Sequence, residues 1–175
     1  MNETTYITST NELHEIIQRC PKCKHATLNG TFIIPFHHLT AILLKKYHNQ
    51  KNFCLILNSE IGSNKVGHWF SIIIYQKKYA ILCDGLNEIK FNTQIMQYIK
   101  NFCLINNLKL INLSCKYQQI HSKKCGYLAL GMVSFSHRFT FKNFLKFKKI
   151  FKKNSTETNE NYIFKLTKKH FNLKF

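Results

Sequence analysis

Residue types that together could support nucleophilic catalysis occur in order along the chain: His68, Asp84, the glutamine pair 118–119 and Cys125. A cysteine thiolate is a strong nucleophile, and a histidine beside it can accept and return the proton. An aspartate can hold that histidine in the useful tautomer. Attack on a carbonyl also needs oxyanion donors, which a backbone N–H and a glutamine amide can supply at about 3–4 kcal/mol each. The combination indicates acyl-transfer chemistry with Cys125 as the nucleophile.

His68 opens the first strand of a predicted β-hairpin, and Asp84 follows the second strand. With a three-residue loop at 76–78, Asp84 lies opposite Phe70, diagonal to His68 and on the same face. A register shifted by one pair places Asp84 directly opposite His68. In both registers the carboxylate can reach an imidazole nitrogen. A two-residue loop would put the two side chains on opposite faces, unless a bulge restored the parity.

Cys125 begins the segment 125–133, which is apolar around its whole circumference and is predicted to be a buried helix. Unpaired N–H groups and the helix dipole favour an anion at such a position. With an imidazole nearby, the pKa of the thiol can fall from about 8.5 into the range of roughly 3.5–7.5. Gly126 leaves room for a substrate backbone beside the nucleophile.

The remaining patterns predict an α+β fold that positions these residues. A capping box, Ser9-x-x-Glu12, predicts a short N-terminal helix, and Pro35 predicts the first turn of a second helix. Apolar runs predict strands at 53–57, 68–75, 79–83 and 108–113. Further helices are predicted at 92–107, from 143 to about 153 and at 162–171, with a polar loop at 154–161. We expect a small mixed or antiparallel sheet packed against helices.

Length and composition indicate one domain, because 175 residues is a usual domain size. We expect a single domain over 1–175, with a core at about 28–140 and a basic C-terminal helical extension at about 141–175. A hydrophobic fraction of 45% excludes global disorder. No apolar run approaches the ~20 residues of a membrane-spanning helix, and no signal-peptide pattern is found. The odd count of 7 cysteines argues against a disulfide framework and favours a reducing compartment with at least one reactive thiol.

The formal net charge of +18 is carried mainly by lysine. Part of this charge is consistent with an A/T-rich genome, since Lys, Asn, Ile and Phe are all abundant. Four lysines at helical spacing, here called the lysine stripe, are Lys142, Lys146, Lys149 and Lys153. The stripe is either a solvated face over an aromatic core or a phosphate-tracking surface that binds DNA without sequence preference.

Cys20 and Cys23 have the spacing of half a zinc knuckle. Without a second pair at the same spacing, free thiols are the preferred interpretation, and no metal site is predicted.

The order of these motifs resembles the adenovirus protease (adenain) family, which includes proteases of large DNA transposons and SUMO-deconjugating proteases. The matching motifs are Gly67-His68-Trp69, Cys83-Asp84-Gly85, Tyr117-Gln118-Gln119 and Cys125-Gly126, with a weaker match from Asn29 to Pro35. The resemblance spans about residues 28–140. Gln119 precedes Cys125 by six residues, as in the deconjugating enzymes, and Gln118 precedes it by seven, as in the adenoviral pattern. Gln119 is the preferred oxyanion donor.

The resemblance implies an adenain-like cysteine endopeptidase that processes viral or mobile-element structural precursors near small residues such as Gly. The catalytic residues would be His68, Asp84, Cys125 and Gln119. The substrate contacts would be Trp69, Gly126 and Asn58, with Trp69 also a core wall beside the site. No cofactor is required, although an activating peptide or DNA is implied. We expect a monomer without membrane association, in the host nucleus or cytoplasm or packaged in virions.

Two alternatives remain open. The first alternative is a deconjugating protease for a ubiquitin-like modifier, whose groove must accept a Gly-Gly tail. In one respect the chain differs from that branch: Lys123 and Lys124 precede Cys125, where the deconjugating enzymes commonly have an acidic residue. The second is a non-catalytic, basic nucleic-acid-binding protein on a protease scaffold.

Overall fold

The computed structural model describes residues 9–19, 31–46, 52–60, 67–113, 115–138 and 140–174. They form an α+β structure in which helices pack on a mixed five-stranded sheet. The pair Cys20 and Cys23 lies outside the described residues. Within these ranges, no helix combines the length and the apolar character needed to cross a membrane.

The central feature is the sheet. Its strands are β1 (Thr31–Pro35), β2 (Phe53–Asn58), β3 (Trp69–Tyr75), β4 (Tyr79–Cys83) and β5 (Lys109–Asn112). They lie side by side in sequence order. The pairs β2–β3 and β3–β4 are antiparallel, whereas each edge strand runs parallel to its neighbour. The strands β2 to β5 confirm the apolar runs as strands, and β1 is an additional strand that the sequence patterns did not reveal.

The hairpin of β3 and β4 has the register that a three-residue turn predicts, with Tyr75 opposite Tyr79. One pair beyond the end of β4, that register places Asp84 opposite Phe70 and diagonal to His68. The first of the two favourable registers is therefore the one adopted. It brings the imidazole and the carboxylate to the same face of the sheet.

Helices cover both faces of the sheet, and side chains of successive strand residues enter two separate core clusters. One face carries the helices α1 (Thr10–Arg19), α3 (Cys125–Arg138), α4 (Phe141–Lys153) and α5 (Thr156–Phe171). The other carries α2 (Thr93–Ile105) and the 3₁₀ helices Phe36–Ala41, Leu44–Lys46 and Ile89–Phe91.

Two predicted elements differ from the structure. Pro35 ends β1 and precedes a 3₁₀ helix, so it does not open an α-helix. The polar loop predicted at 154–161 is also wrong. Ser155 caps α5 by accepting a hydrogen bond from the Thr158 N–H, and the helix runs from Thr156 onward. Most side chains in its first turns face solvent and are polar. The apolar spacing that predicts a helix is therefore missing from this part of the sequence.

Helix α3 is buried over every residue from Gly126 to Ser136, as its apolar circumference predicts. It packs against both β3 and α5. Gly131 allows the close approach of α5, because a Cβ there would lie 2.5 Å from side-chain atoms of Ile163 and Thr167. The Thr167 hydroxyl also lies 3.1 Å from the Tyr127 carbonyl oxygen. These contacts fix α5 relative to the helix that Cys125 begins.

Candidate active site

His68 is held at the entrance to β3 by its own backbone. Its N–H donates to the Ser59 hydroxyl at 2.8 Å, and its carbonyl accepts from the Ser59 N–H at 3.0 Å. The imidazole Nε2 lies 2.6 Å from Asp84 Oδ1, and the His68 side chain is only 16% exposed. Since Nε2 is engaged by Asp84, Nδ1 is the ring nitrogen available to Cys125.

Asp84 follows β4, and its buried carboxylate is oriented by the turn that comes after it. Oδ1 accepts from the Leu86 N–H at 3.0 Å as well as from His68. Oδ2 accepts from the N–H groups of Glu88 and Ile89, at 2.6 and 2.8 Å. Burial alone would raise the pKa of this carboxyl, but the His68 hydrogen bond and charge and the backbone donors together lower it. Asp84 is therefore ionised and fixed in orientation.

Cys125 is the first residue of α3, and its sulfur contacts the His68 imidazole. The backbone N–H groups of Trp69 and Gly126 also stabilise the thiolate form of this sulfur. Burial alone would raise the pKa of the thiol. The His68 hydrogen bond, the two backbone donors and the His68 charge outweigh burial and lower the pKa below its ordinary value of 9.0.

His68 and Cys125 each stabilise the charged form of the other. Burial alone would lower the pKa of His68, but the hydrogen bonds and negative charges of Asp84 and Cys125 raise it from 6.5 to about 9. Between the lowered pKa of Cys125 and the raised pKa of His68, the stable form is a thiolate beside an imidazolium. Such a pair supplies both a nucleophile and a proton donor in one site.

The pKa values of the other thiols among the described residues are raised instead of lowered. Burial raises the pKa of Cys54 to about 12, and of Cys103 and Cys115 to about 11. Burial also raises that of Cys83 well above its ordinary value. All four are buried, whereas Cys125 is partly exposed. Cys125 is thus the thiol, among those described, that is both accessible and acidified.

The segment 116–124, here called the precysteine loop, lies between β5 and Cys125 in the chain and passes beside the Asp84 turn. The Gly85 carbonyl accepts hydrogen bonds from the N–H groups of Tyr117 and Gln118, both at 3.0 Å. Gly85 permits this approach, because a Cβ there would lie 2.8 Å from two side-chain atoms of Gln118. The loop is therefore anchored next to the carboxylate that orients His68.

The two candidate glutamines differ in placement. Gln118 is 4% exposed, and its Nε2 donates to the Ser122 carbonyl at 3.1 Å. Its Oε1 is buried without a hydrogen-bond partner among the described residues. The Gln119 side chain is exposed. The preference for Gln119 therefore finds no support in side-chain placement, and Gln118 is the glutamine whose amide is buried beside Gly85.

The three predicted substrate contacts occupy different positions. The Trp69 side chain is 5% exposed and belongs to the core, which agrees with a wall beside the site and leaves little of it for substrate. Gly126 is buried beside Cys125. Asn58 Oδ1 accepts from the Glu60 N–H at 2.9 Å and lies where a Cβ on Gly67 would be, so it shapes the chain leading to His68.

Glu160 on α5 is a site neighbour that the sequence patterns did not reveal. It is 1% exposed, and its carboxylate contacts the precysteine loop at Gln119 and Lys124. The sequence patterns place it in a polar loop, because they begin the last helix only at residue 162. A helical spacing that includes Glu160 is nevertheless present in the sequence. The residues on that helix face are Glu160, Ile163, Thr167 and Phe171.

The lysine stripe lies on α4, and its four members are exposed. Phe144, Phe147 and Phe151 on the opposite side of the helix are buried in the same core cluster as α3. The predicted division of this helix into a solvated basic face and an aromatic core face is confirmed.

The arrangement brings His68, Asp84 and Cys125 together and leaves the lysine stripe on another element. A scan against protein-family models finds no match for the chain, and a search of curated proteins finds none either.

Proposed function

We propose that this protein is a cysteine endopeptidase with an adenain-like fold, in which Cys125 is the nucleophile. The single observation that carries the proposal is the contact of the Cys125 sulfur, at the first residue of a buried helix, with an imidazole that a buried aspartate orients. The order of the motifs along the chain, placed on a mixed sheet and a buried helix, supports the likeness to adenain.

The proposed reaction has two stages. The Cys125 thiolate attacks the peptide carbonyl carbon, and the His68 imidazolium gives its proton to the leaving amine as the C–N bond breaks. The product is a thioester acyl-enzyme. Neutral His68 then removes a proton from water, whose oxygen attacks the thioester carbonyl. Collapse releases the carboxylic acid and restores the thiolate beside the imidazolium.

The oxyanion formed in each stage requires donors next to Cys125. The Cys125 N–H at the start of α3 is one, since the first N–H groups of a helix lack intrahelical partners. We assign the second to the Gln118 amide, because that side chain is the buried one and only one of its two N–H groups is used by Ser122. Gln119 is retained as the alternative to be tested.

The proposed substrates are structural precursor proteins of a virus or mobile element, cleaved near small residues such as Gly. The resemblance supplies this substrate class, and the buried Gly126 beside the nucleophile is compatible with close approach of a small substrate residue. The lysine stripe is proposed as a DNA-binding surface that assists the reaction. Its exposed, one-sided lysines are the observation in its favour.

The experiment is cleavage of a proteome-derived peptide library by the reduced protein, with and without duplex DNA, read as new termini by mass spectrometry. We expect cleavage by the wild-type chain and by the control Cys103→Ala, and none by Cys125→Ala. New termini of equal abundance from Cys125→Ala, or none from the wild type in either arm, would overturn the proposal.

A parallel arm uses ubiquitin-like modifiers that carry a C-terminal vinyl sulfone. An adduct at Cys125 without library cleavage would identify the deconjugating alternative. Failure of both arms, combined with tight DNA binding, would identify the non-catalytic alternative.

A further inference from the structure

Glu160 is a buried carboxylate that the proposed reaction does not use. It lies in the second turn of α5 and is 1% exposed. Oε2 accepts a hydrogen bond from the Gln119 backbone N–H at 2.7 Å, and Oε1 lies 3.2 Å from Lys124 Nζ. Both partners belong to the precysteine loop, so one side chain ties two points of the loop to α5.

A carboxylate at this depth is stable only while its partners stay in place. An ionised group that loses its partners in a buried site loses far more free energy than an exposed one. Lys124 is held from a second side as well, since its Nζ lies 4.9 Å from the centre of the Phe164 ring. The loop is therefore fixed at Gln119 and at Lys124 by groups on one helix.

The two loop residues that Glu160 contacts are next to the proposed catalytic residues in the chain. Lys124 immediately precedes Cys125, and Gln119 immediately follows Gln118. Helix α5 is itself locked to α3 through the close approach at Gly131. A shift of Glu160 would therefore move the glutamine pair relative to the start of α3.

We infer that Glu160 is a positioning residue that holds the precysteine loop so that its glutamine amide faces the oxyanion formed at Cys125. This inference rests on the proposed function and adds the C-terminal helix to the catalytic scaffold. It means that 141–175 is not an appendage to the protease core, because α5 supplies a contact that sets the geometry of the reaction.

The test compares Glu160→Ala, the double variant Glu160→Gln with Lys124→Met, and the control Glu157→Ala, which alters an exposed acid on the same helix. The double variant keeps an acceptor for the Gln119 N–H and removes the ion pair. We expect Glu160→Ala to lower kcat by about 10- to 100-fold with KM within about threefold, since small misplacements have effects of that size. The double variant should recover most of kcat, and the control should match the wild type.

Two further readouts separate this inference from the proposed function. Amide exchange of Gln119, followed by NMR, should be protected in the wild type and become fast in Glu160→Ala. Alkylation of Cys125 by iodoacetamide needs no oxyanion donor, so its rate should change little. Unchanged Gln119 exchange would overturn the inference even if no peptidase activity were found. A parallel loss of kcat, alkylation and thermal stability would also overturn it, because it would show a general structural role.

Discussion

Replacement of Asp84 by Asn gives the sharpest test of how the site is charged. The carboxylate accepts four hydrogen bonds, two on each oxygen. An amide nitrogen at either position faces two N–H donors, so at least two of these bonds are broken. If the nitrogen faces His68, it also reverses the tautomer that the imidazole needs.

The expected magnitude follows from the charge on His68. The rise of its pKa from 6.5 to about 9 corresponds to about 3 kcal/mol in favour of the imidazolium. Without the Asp84 hydrogen bond and charge, only Cys125 still opposes the effect of burial, so Asp84→Asn should lower the pKa of His68 from about 9. The thiolate–imidazolium pair is then weakened at neutral pH. We expect kcat to fall by about 10⁴-fold, the size of effect of this change in other catalytic triads.

The assay is peptide hydrolysis together with the pH dependence of Cys125 alkylation. The alkylation profile of Asp84→Asn should move to higher pH than that of the wild type. Loss of two bonds to a charged acceptor should also lower the free energy of unfolding by a few kcal/mol, about 1.5–3 per bond, which thermal melts would show. A folded Asp84→Asn protein with kcat within about threefold of the wild type would show that Asp84 does not control the charge of His68.

Three other predictions follow from the same geometry, and a fourth concerns the lysine stripe. Gln118→Ala should lower kcat by about 10²- to 10³-fold while Gln119→Ala stays within about threefold, and the reverse order would return the oxyanion role to Gln119. Activity should rise with pH as Cys125 ionises below its ordinary pKa and fall as His68 loses its proton near pH 9; a pH–rate profile without the alkaline fall would contradict this. The stability that His68 contributes should be complete below pH 6.5 and lost through about pH 9, as measured by melts across pH. Changing the lysine stripe to Glu should weaken DNA affinity and flatten its salt dependence by about 0.9 for each phosphate that is no longer neutralised, and unaltered binding would exclude the stripe as the interface.

The juxtaposition of His68, Asp84 and Cys125 could be predicted from the sequence because two local rules fix their positions. Side-chain parity in a hairpin with a three-residue turn places Asp84 on the face of His68. The apolar circumference of α3 places Cys125 at the start of a buried helix. Neither rule needs knowledge of distant contacts.

The parts that could not be predicted depend on contacts between distant segments. β1 is short, ends in proline and gains its place by pairing with β2. Gln118 and Gln119 are adjacent in the chain, and which one is buried depends on the approach of Gly85. Glu160 resembles a surface residue in the sequence, because its partners lie 36 and 41 positions away.

If Cys125 is an activated nucleophile, iodoacetamide should alkylate it at mildly acidic pH. Mass spectrometry of each of the 7 cysteines reports their rates in one experiment. We predict that Cys125 is labelled faster than the others, because its pKa is lowered whereas burial raises the pKa of the four other described thiols, and that His68→Ala removes this advantage. Slow, uniform labelling of all cysteines in the folded wild-type protein would show that Cys125 is not activated.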